Sequence, residues 1–221
     1  MFSGAMNEIL KNTPPRRFLF AVLLIASFIF PPPISGAAAA KARPRTATAL
    51  VVRFQNGLMA VMKEAAALGV KGRYERLAPL IDDTFYLPLM TQIASGPYWD
   101  RADEAERSRL VAAFHRMSAG TLATLFDGWS GQVFKITGEV PGPQKTTVVK
   151  TRLVETDGSS VALAYIAKKI HGAWFLIDVV VDNGISELNI RRSEYLMLLK
   201  TKGVDGLIKA LNAKADRLIG Q

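Results

Sequence analysis

The spacing of apolar and polar positions divides the chain into a helical part, a stretch of strands and a helical end. Over 48–68, Leu50, Val51, Phe54, Leu58, Val61, Met62, Ala65 and Leu68 recur at three- and four-residue steps. That spacing predicts an amphipathic helix, closed by Gly69. A second helical segment over about 72–94 puts Ile81, Phe85, Leu89 and Ile93 on one face, with interruptions at Pro79 and Pro88. Ser95-Gly96-Pro97 ends it, and the aromatic pair Tyr98-Trp99 follows. A third helix opens on Asp103, Glu104 and Glu106, acids that complement the positive end of a helix dipole. Its apolar face holds Leu110, Val111, Phe114, Met117, Leu122, Leu125 and Phe126, and Gly128 and Gly131 mark its end.

The period then shortens to two. Residues 133–140, 146–155, 160–168 and 173–181 read as four strands, joined at hairpin lengths by Pro141-Gly142-Pro143, Asp157-Gly158-Ser159 and His171-Gly172. The last strand, with Trp174, Phe175, Leu176, Ile177, Val179, Val180 and Val181 around Asp178, is apolar on both faces, which predicts cover on both sides. Asn183-Gly184 then breaks the chain, and Ser186 is placed to cap a helix over 185–200. Gly203 separates that helix from another over 204–219. The order predicts an α+β fold: a curved four-stranded antiparallel meander covered by helices on one face.

Residues 1–40 have the layout of a secretory signal peptide. Lys11, Arg16 and Arg17 precede an apolar run over 18–30, Pro31-Pro32-Pro33 ends it, and Ala38-Ala39-Ala40 fits the small-x-small cleavage rule. Thirteen residues, all apolar but Ser27, fall short of the roughly twenty that a spanning helix needs, so cleavage is expected over an uncleaved anchor. Residues 41–221 are read as one domain, with a helical part over about 46–128, the sheet over about 132–182 and C-terminal helices over about 185–219.

Charge and chemistry narrow the picture mainly by exclusion. Of 28 Lys and Arg and 19 Asp and Glu, three bases and one acid lie in the first forty residues, which leaves the remainder a surplus of +7. No basic run exceeds two residues, a scatter that argues against nucleic-acid recognition and for a solvated basic surface with weak attraction to anionic membranes. With no cysteine, thiol and zinc-thiolate chemistry are excluded, and two isolated histidines, His115 and His171, make no metal site. No cofactor is expected, because no nucleophile elbow, dinucleotide fingerprint or phosphate loop occurs. Asp82 and Asp83 are adjacent on a helix and diverge by about 100°, so they do not share a substrate. Asp178, in an apolar strand, is expected to pair with Arg191 or Arg192.

From Trp174 the chain continues Asp178-Val179, Asp182, Gly184-Ile185-Ser186, Arg192-Ser193-Glu194-Tyr195 and Lys202-Gly203. In that order these residues resemble the tail of the MlaC or toluene-tolerance family, soluble periplasmic lipid carriers serving an ABC transport system. Upstream, Asp82, Gly96-Pro97-Tyr98-Trp99 and the helix around Phe114 sit where the family places similar features. Asn183 is an extra residue, and Thr121-Leu122-Ala123 stands where relatives often carry a tyrosine, so the chain looks most like the branch associated with hopanoid biosynthesis. The resemblance implies an NTF2-like roll with a small helical subdomain, in the periplasm, carrying a phospholipid or hopanoid-like lipid as a monomer between membrane-bound transport complexes.

For such a role, strand alternation nominates a cavity lining of Phe175, Ile177, Val179 and Val181 on the last strand and Val161, Leu163 and Tyr165 on the one before. Phe114, Leu122 and Leu125 are expected to close it from the helices. The contrasting expectation is a small enzyme of the same roll, using Asp178, Tyr165 or His115 as acid or base in an apolar pocket. A third is an adaptor held at the membrane by an uncleaved N-terminal segment.

Overall fold

A computed structural model describes residues 43–182 and 184–220. The expected signal peptide and the Asn183 half of the break before the last helix lie outside them. Six helices and five strands follow in order: α1 (Ala47–Lys63), α2 (Ala65–Thr84), α3 (Leu87–Ser95), α4 (Pro97–Arg101), α5 (Glu104–Leu125), β1 (Val133–Pro141), β2 (Thr146–Val154), β3 (Ser160–Ile170), β4 (Ala173–Val181), β5 (Ile185–Ser186) and α6 (Glu187–Ile219).

The helix ends follow local chemistry. Thr46 caps α1 by accepting from the Ala49 N–H at 3.1 Å. Asp103 and Glu106 form a reciprocal capping box at the start of α5, with bonds of 2.7 and 2.9 Å. Gly69, at φ 58°, bends the chain inside α2 where the apolar period ends. The second predicted segment breaks at Phe85–Tyr86, because Phe85 is extended (φ −104°, ψ 145°). Pro88 sits in the first turn of α3, where its missing N–H costs nothing. That extended step changes the helical phase, so α3 buries Leu87, Thr91, Ala94 and Ser95 instead of Leu89 and Ile93.

The sheet is an antiparallel meander in the order β1-β2-β3-β4-β5. The four long strands match the sequence reading, and β5 is a two-residue addition that pairs Val180 with Ser186 and Val181 with Ile185. Its neighbour at the other end of β4 is helical-part backbone: Tyr86 N–H donates to the Leu176 carbonyl at 2.9 Å, and Phe85 bridges Leu176 in parallel. The β4 edge is thus capped at both ends, while β1 forms the open edge.

Alternation fixes two sheet faces. On β2 and β3 the residues Val149, Thr151, Leu153, Val161, Leu163, Tyr165 and Ala167 are buried, and every residue between them is half-buried or exposed. The buried face lies under α1, with Phe54 edge-on to Tyr165 at 6.0 Å and to Phe85 at 5.0 Å. On the other face of β1–β3 Thr146, opposite Lys168, is the one buried residue among those described. On β4 that other face carries Phe175, Asp178 and Val180, each half-buried, so the expected cover on both sides is only partial. The helices gather on one face, and α5 forms a further layer against α2, α3 and α6.

Candidate functional site

The register of β3 against β4 decides which of the nominated residues meet. Leu163 faces Val181 and Tyr165 faces Val179, so these four share the face under α1, and Val161 continues it opposite Leu153. A β-bulge then intervenes: Ile166 pairs with Asp178 but Ala167 pairs with Leu176, which leaves Ile177 as the extra residue. Beyond the bulge the alternation is inverted. Leu176 enters the interior, fully buried, and Phe175 pairs with Lys168 on the opposite face. The expected single face of Phe175, Ile177, Val179 and Val181 is therefore split, with Ile177 buried at the bulge and Phe175 stacked against Tyr86 at 5.3 Å and under Arg43 at 5.0 Å.

The helical members of the nominated lining all lie on α5. Phe114 packs edge-on against Tyr195 of α6, with centroids 6.2 Å apart, and carries the Arg191 guanidinium above its ring. Leu122 is half-buried and Leu125 buried on the same helix, α5, which stacks on α2, α3 and α6 while α1 covers the sheet. Period alone could not reveal this, because α1 and α5 both have apolar faces and only tertiary packing assigns one of them to the sheet.

Two buried polar residues complete the face under α1. Gln55 and Thr151 are almost fully buried, and the Gln55 amide donates to the Thr151 hydroxyl at 3.2 Å. The Tyr165 hydroxyl also shares a hydrogen bond with Gln55, and burial pushes its pKa up to about 12. These two were missed from sequence, although each breaks a pattern: Gln55 follows Phe54 on the apolar side of α1, and Thr151 alternates with Val149 and Leu153. At the open edge, Phe134 and Ile136 of β1 lie on this same face, opposite Leu153 and Thr151, and Ile136 remains 39% exposed. The interior under α1 is thus apolar with one small polar group, and it has an apolar margin at β1.

The three candidate acid–base residues do not converge. Tyr165 lies under α1, Asp178 pairs with Ile166 on the other face, and His115 is on α5, where it meets the Ala78 carbonyl at 3.1 Å and Asp82 at 3.5 Å. Asp82 and Asp83 diverge as expected, since Asp83 pairs with Arg53 of α1. His171, at φ 46°, occupies an exposed turn. Among the described residues no group of three potential metal ligands occurs.

Asp178 has a structural assignment different from the expected ion pair. Its carboxylate accepts from the Ser186 hydroxyl at 2.6 Å, from the Leu188 N–H at 3.0 Å and from its neighbour Val179 N–H at 2.8 Å. Burial raises its pKa, and these bonds oppose the rise, with only a smaller long-range contribution from Arg191. It therefore ties β4 to β5 and to the first turn of α6, where Ser186 caps the helix by accepting from Asn189 N–H at 3.0 Å. Arg192 instead donates to the Ile93 carbonyl at 2.6 Å, and a Cβ on Gly96 would stand only 3.3 Å from its guanidinium. Trp174 donates to the Arg45 carbonyl at 3.2 Å. The motif-bearing tail is thus a set of clamps joining the helical layers to the sheet. A further clamp, absent from the sequence reading, is buried Arg73, which donates to the Ala123 carbonyl at 2.7 Å and the Ala65 carbonyl at 3.0 Å.

The fold is shared with a solved protein. The phospholipid-binding protein from Ralstonia solanacearum, determined in complex with a phospholipid, superposes with a TM-score of 0.67 over 77% of this chain and 97% of its own, at 19% identity. At that identity the likeness establishes the α+β fold. The family model described as MlaC protein matches residues 53–213, from the middle of α1 nearly to the end of α6. On a match spanning well over half its length, the chain belongs to the MlaC family.

Proposed function

We propose that this protein is a periplasmic carrier of a phospholipid or hopanoid-like lipid, exported by its N-terminal segment and exchanging its cargo with membrane-bound transport complexes. The observation that carries the reading is the apolar face under α1, built from Val161, Leu163, Tyr165, Val179 and Val181 and open to an apolar margin at Phe134 and Ile136. Family membership and a similar fold that holds a phospholipid support it. Each buried methylene is worth about 0.8 kcal/mol, so a sixteen-carbon tail resists water by roughly 12 kcal/mol. A carrier that keeps the tail dry removes that barrier without any covalent step. Dispersal of the acid–base candidates among separate layers gives no support to an enzyme reading.

Mass spectrometry of the gently purified protein tests the proposal. A stoichiometric lipid, lost on replacing Leu163 by glutamine while the fold is retained by circular dichroism, is the expected result. A protein that is always empty and extracts no lipid from vesicles overturns it.

A further inference from the structure

The basic residues that look scattered in sequence are gathered by the sheet. Lys135 of β1 lies directly opposite Arg152 of β2, and Lys150 stands two residues before Arg152 on the same side. Lys168 of β3 shares that side, opposite Phe175, whose ring carries Arg43. On β1–β3 this helix-free face holds four cations and no acid, since Glu139 pairs with Val149 on the other face and bonds to Thr48 of α1. Like charges placed directly across a strand pair destabilise a sheet, and no acid on this face of β1–β3 offsets them; Asp178 of β4, on the same face, is bonded to Ser186 and Leu188. A cation on an edge strand guards against edge-to-edge pairing, which accounts for Lys135; Lys150 and Arg152 lie on the interior strand β2.

Between the cations the face is apolar and smooth. Val148, Ala162, Ala164 and Ile166 are half-buried, and Val133 and Val140 are 43% and 39% exposed on the open edge strand. We infer that this helix-free sheet face docks on the surface of an anionic phospholipid bilayer. Charge complementarity supplies the attraction, and small apolar side chains let the sheet approach the headgroups closely. Nucleic acid is disfavoured because the face has no exposed aromatic platform among its cations on β1–β3. The choice of a bilayer over an acidic protein surface rests on the lipid-carrier reading, whereas the patch itself does not.

The test is co-sedimentation of the full chain without its first forty residues on vesicles of phosphatidylglycerol and phosphatidylcholine, against phosphatidylcholine alone, in low-salt buffer. Binding only to the anionic vesicles, reversed by salt, is expected. A cation near such a surface is worth about fivefold in affinity, so Lys135→Gln, Lys150→Gln and Arg152→Gln together lower binding on the order of a hundredfold. The triple variant, relieved of its like-charge pair, keeps or raises its urea midpoint, which separates lost docking from lost folding. Equal binding to neutral vesicles, wild-type binding by the triple variant, or capture by polyglutamate with no vesicle binding overturns the inference. Lipid content is measured on the same samples: a loaded protein that does not dock refutes docking alone, and a docking protein that is always empty refutes the carrier reading alone.

Discussion

Replacing Asp178 by alanine strips the junction of β4, β5 and α6 of its acceptor. The Ser186 hydroxyl and the Leu188 N–H lose bonds of 2.6 and 3.0 Å, and the Val179 N–H loses one of 2.8 Å. Hydrogen bonds to a charged group contribute roughly 1.5–3 kcal/mol each, but the junction is only partly buried and the freed N–H groups can rehydrate. Low-end values for the two long-range bonds give a loss of about 2–4 kcal/mol. Because burial raises the Asp178 pKa, its protonated form favours folding: that stabilisation is full below the ordinary carboxylate range and is lost as pH rises through the folded value. Asp178→Asn, which keeps an acceptor without the charge, therefore costs less than Asp178→Ala. Urea unfolding of lipid-free protein at neutral pH reads both. A double-mutant cycle with Ser186→Ala gives a coupling of about 1 kcal/mol or more, and one with Arg191→Met stays below about 0.5 kcal/mol, since Arg191 is engaged with Met117 and Phe114. An alanine variant losing under about 1 kcal/mol, or coupling to Arg191 as strong as to Ser186, refutes the assignment.

Further outcomes come from other parts of the fold. The Tyr165 phenol, with its pKa raised to about 12, favours the folded state fully below pH 10, and that stability is lost as pH climbs toward 12. Two units correspond to about 2–3 kcal/mol, so in guanidinium unfolding across that range Tyr165→Phe lacks this portion of the decline. Asp103→Ala removes the capping box of α5 and costs about 1 kcal/mol by urea unfolding, and Asp103→Ser, which restores a capping oxygen, recovers most of it.

Element type and order were legible in the sequence, because they depend on short-range rules. The three- and four-residue spacing of α1, the alternation of β2 and β3, the capping acids of α5, Ser186 at the start of α6, and the bends at Gly69 and Gly203 all act within a few residues. The four long hairpin-linked strands were legible for the same reason, and so was the turn at His171-Gly172. The motif tail pointed correctly to the family, and within it Asp178, Ser186 and Arg192 hold layers together.

Tertiary structure alone decided the rest. The bulge at Ile177 turns Phe175 away from Val179, and it is seen only in the pairing of β4 with β3. The partner of Asp178 was sought among cations, while a hydroxyl and a helix-end N–H, brought close by the β4–β5 turn, take that place. Phe114 and Tyr165, equally apolar in environment, belong to different layers because α1 rather than α5 covers the sheet. Lys135, Lys150 and Arg152, separated along the chain by intervening residues of every kind, become neighbours only when two strands pair in register and their alternation sends all three the same way. Local propensity is set by each residue and its near neighbours; which surfaces meet is set by the whole chain packing at once.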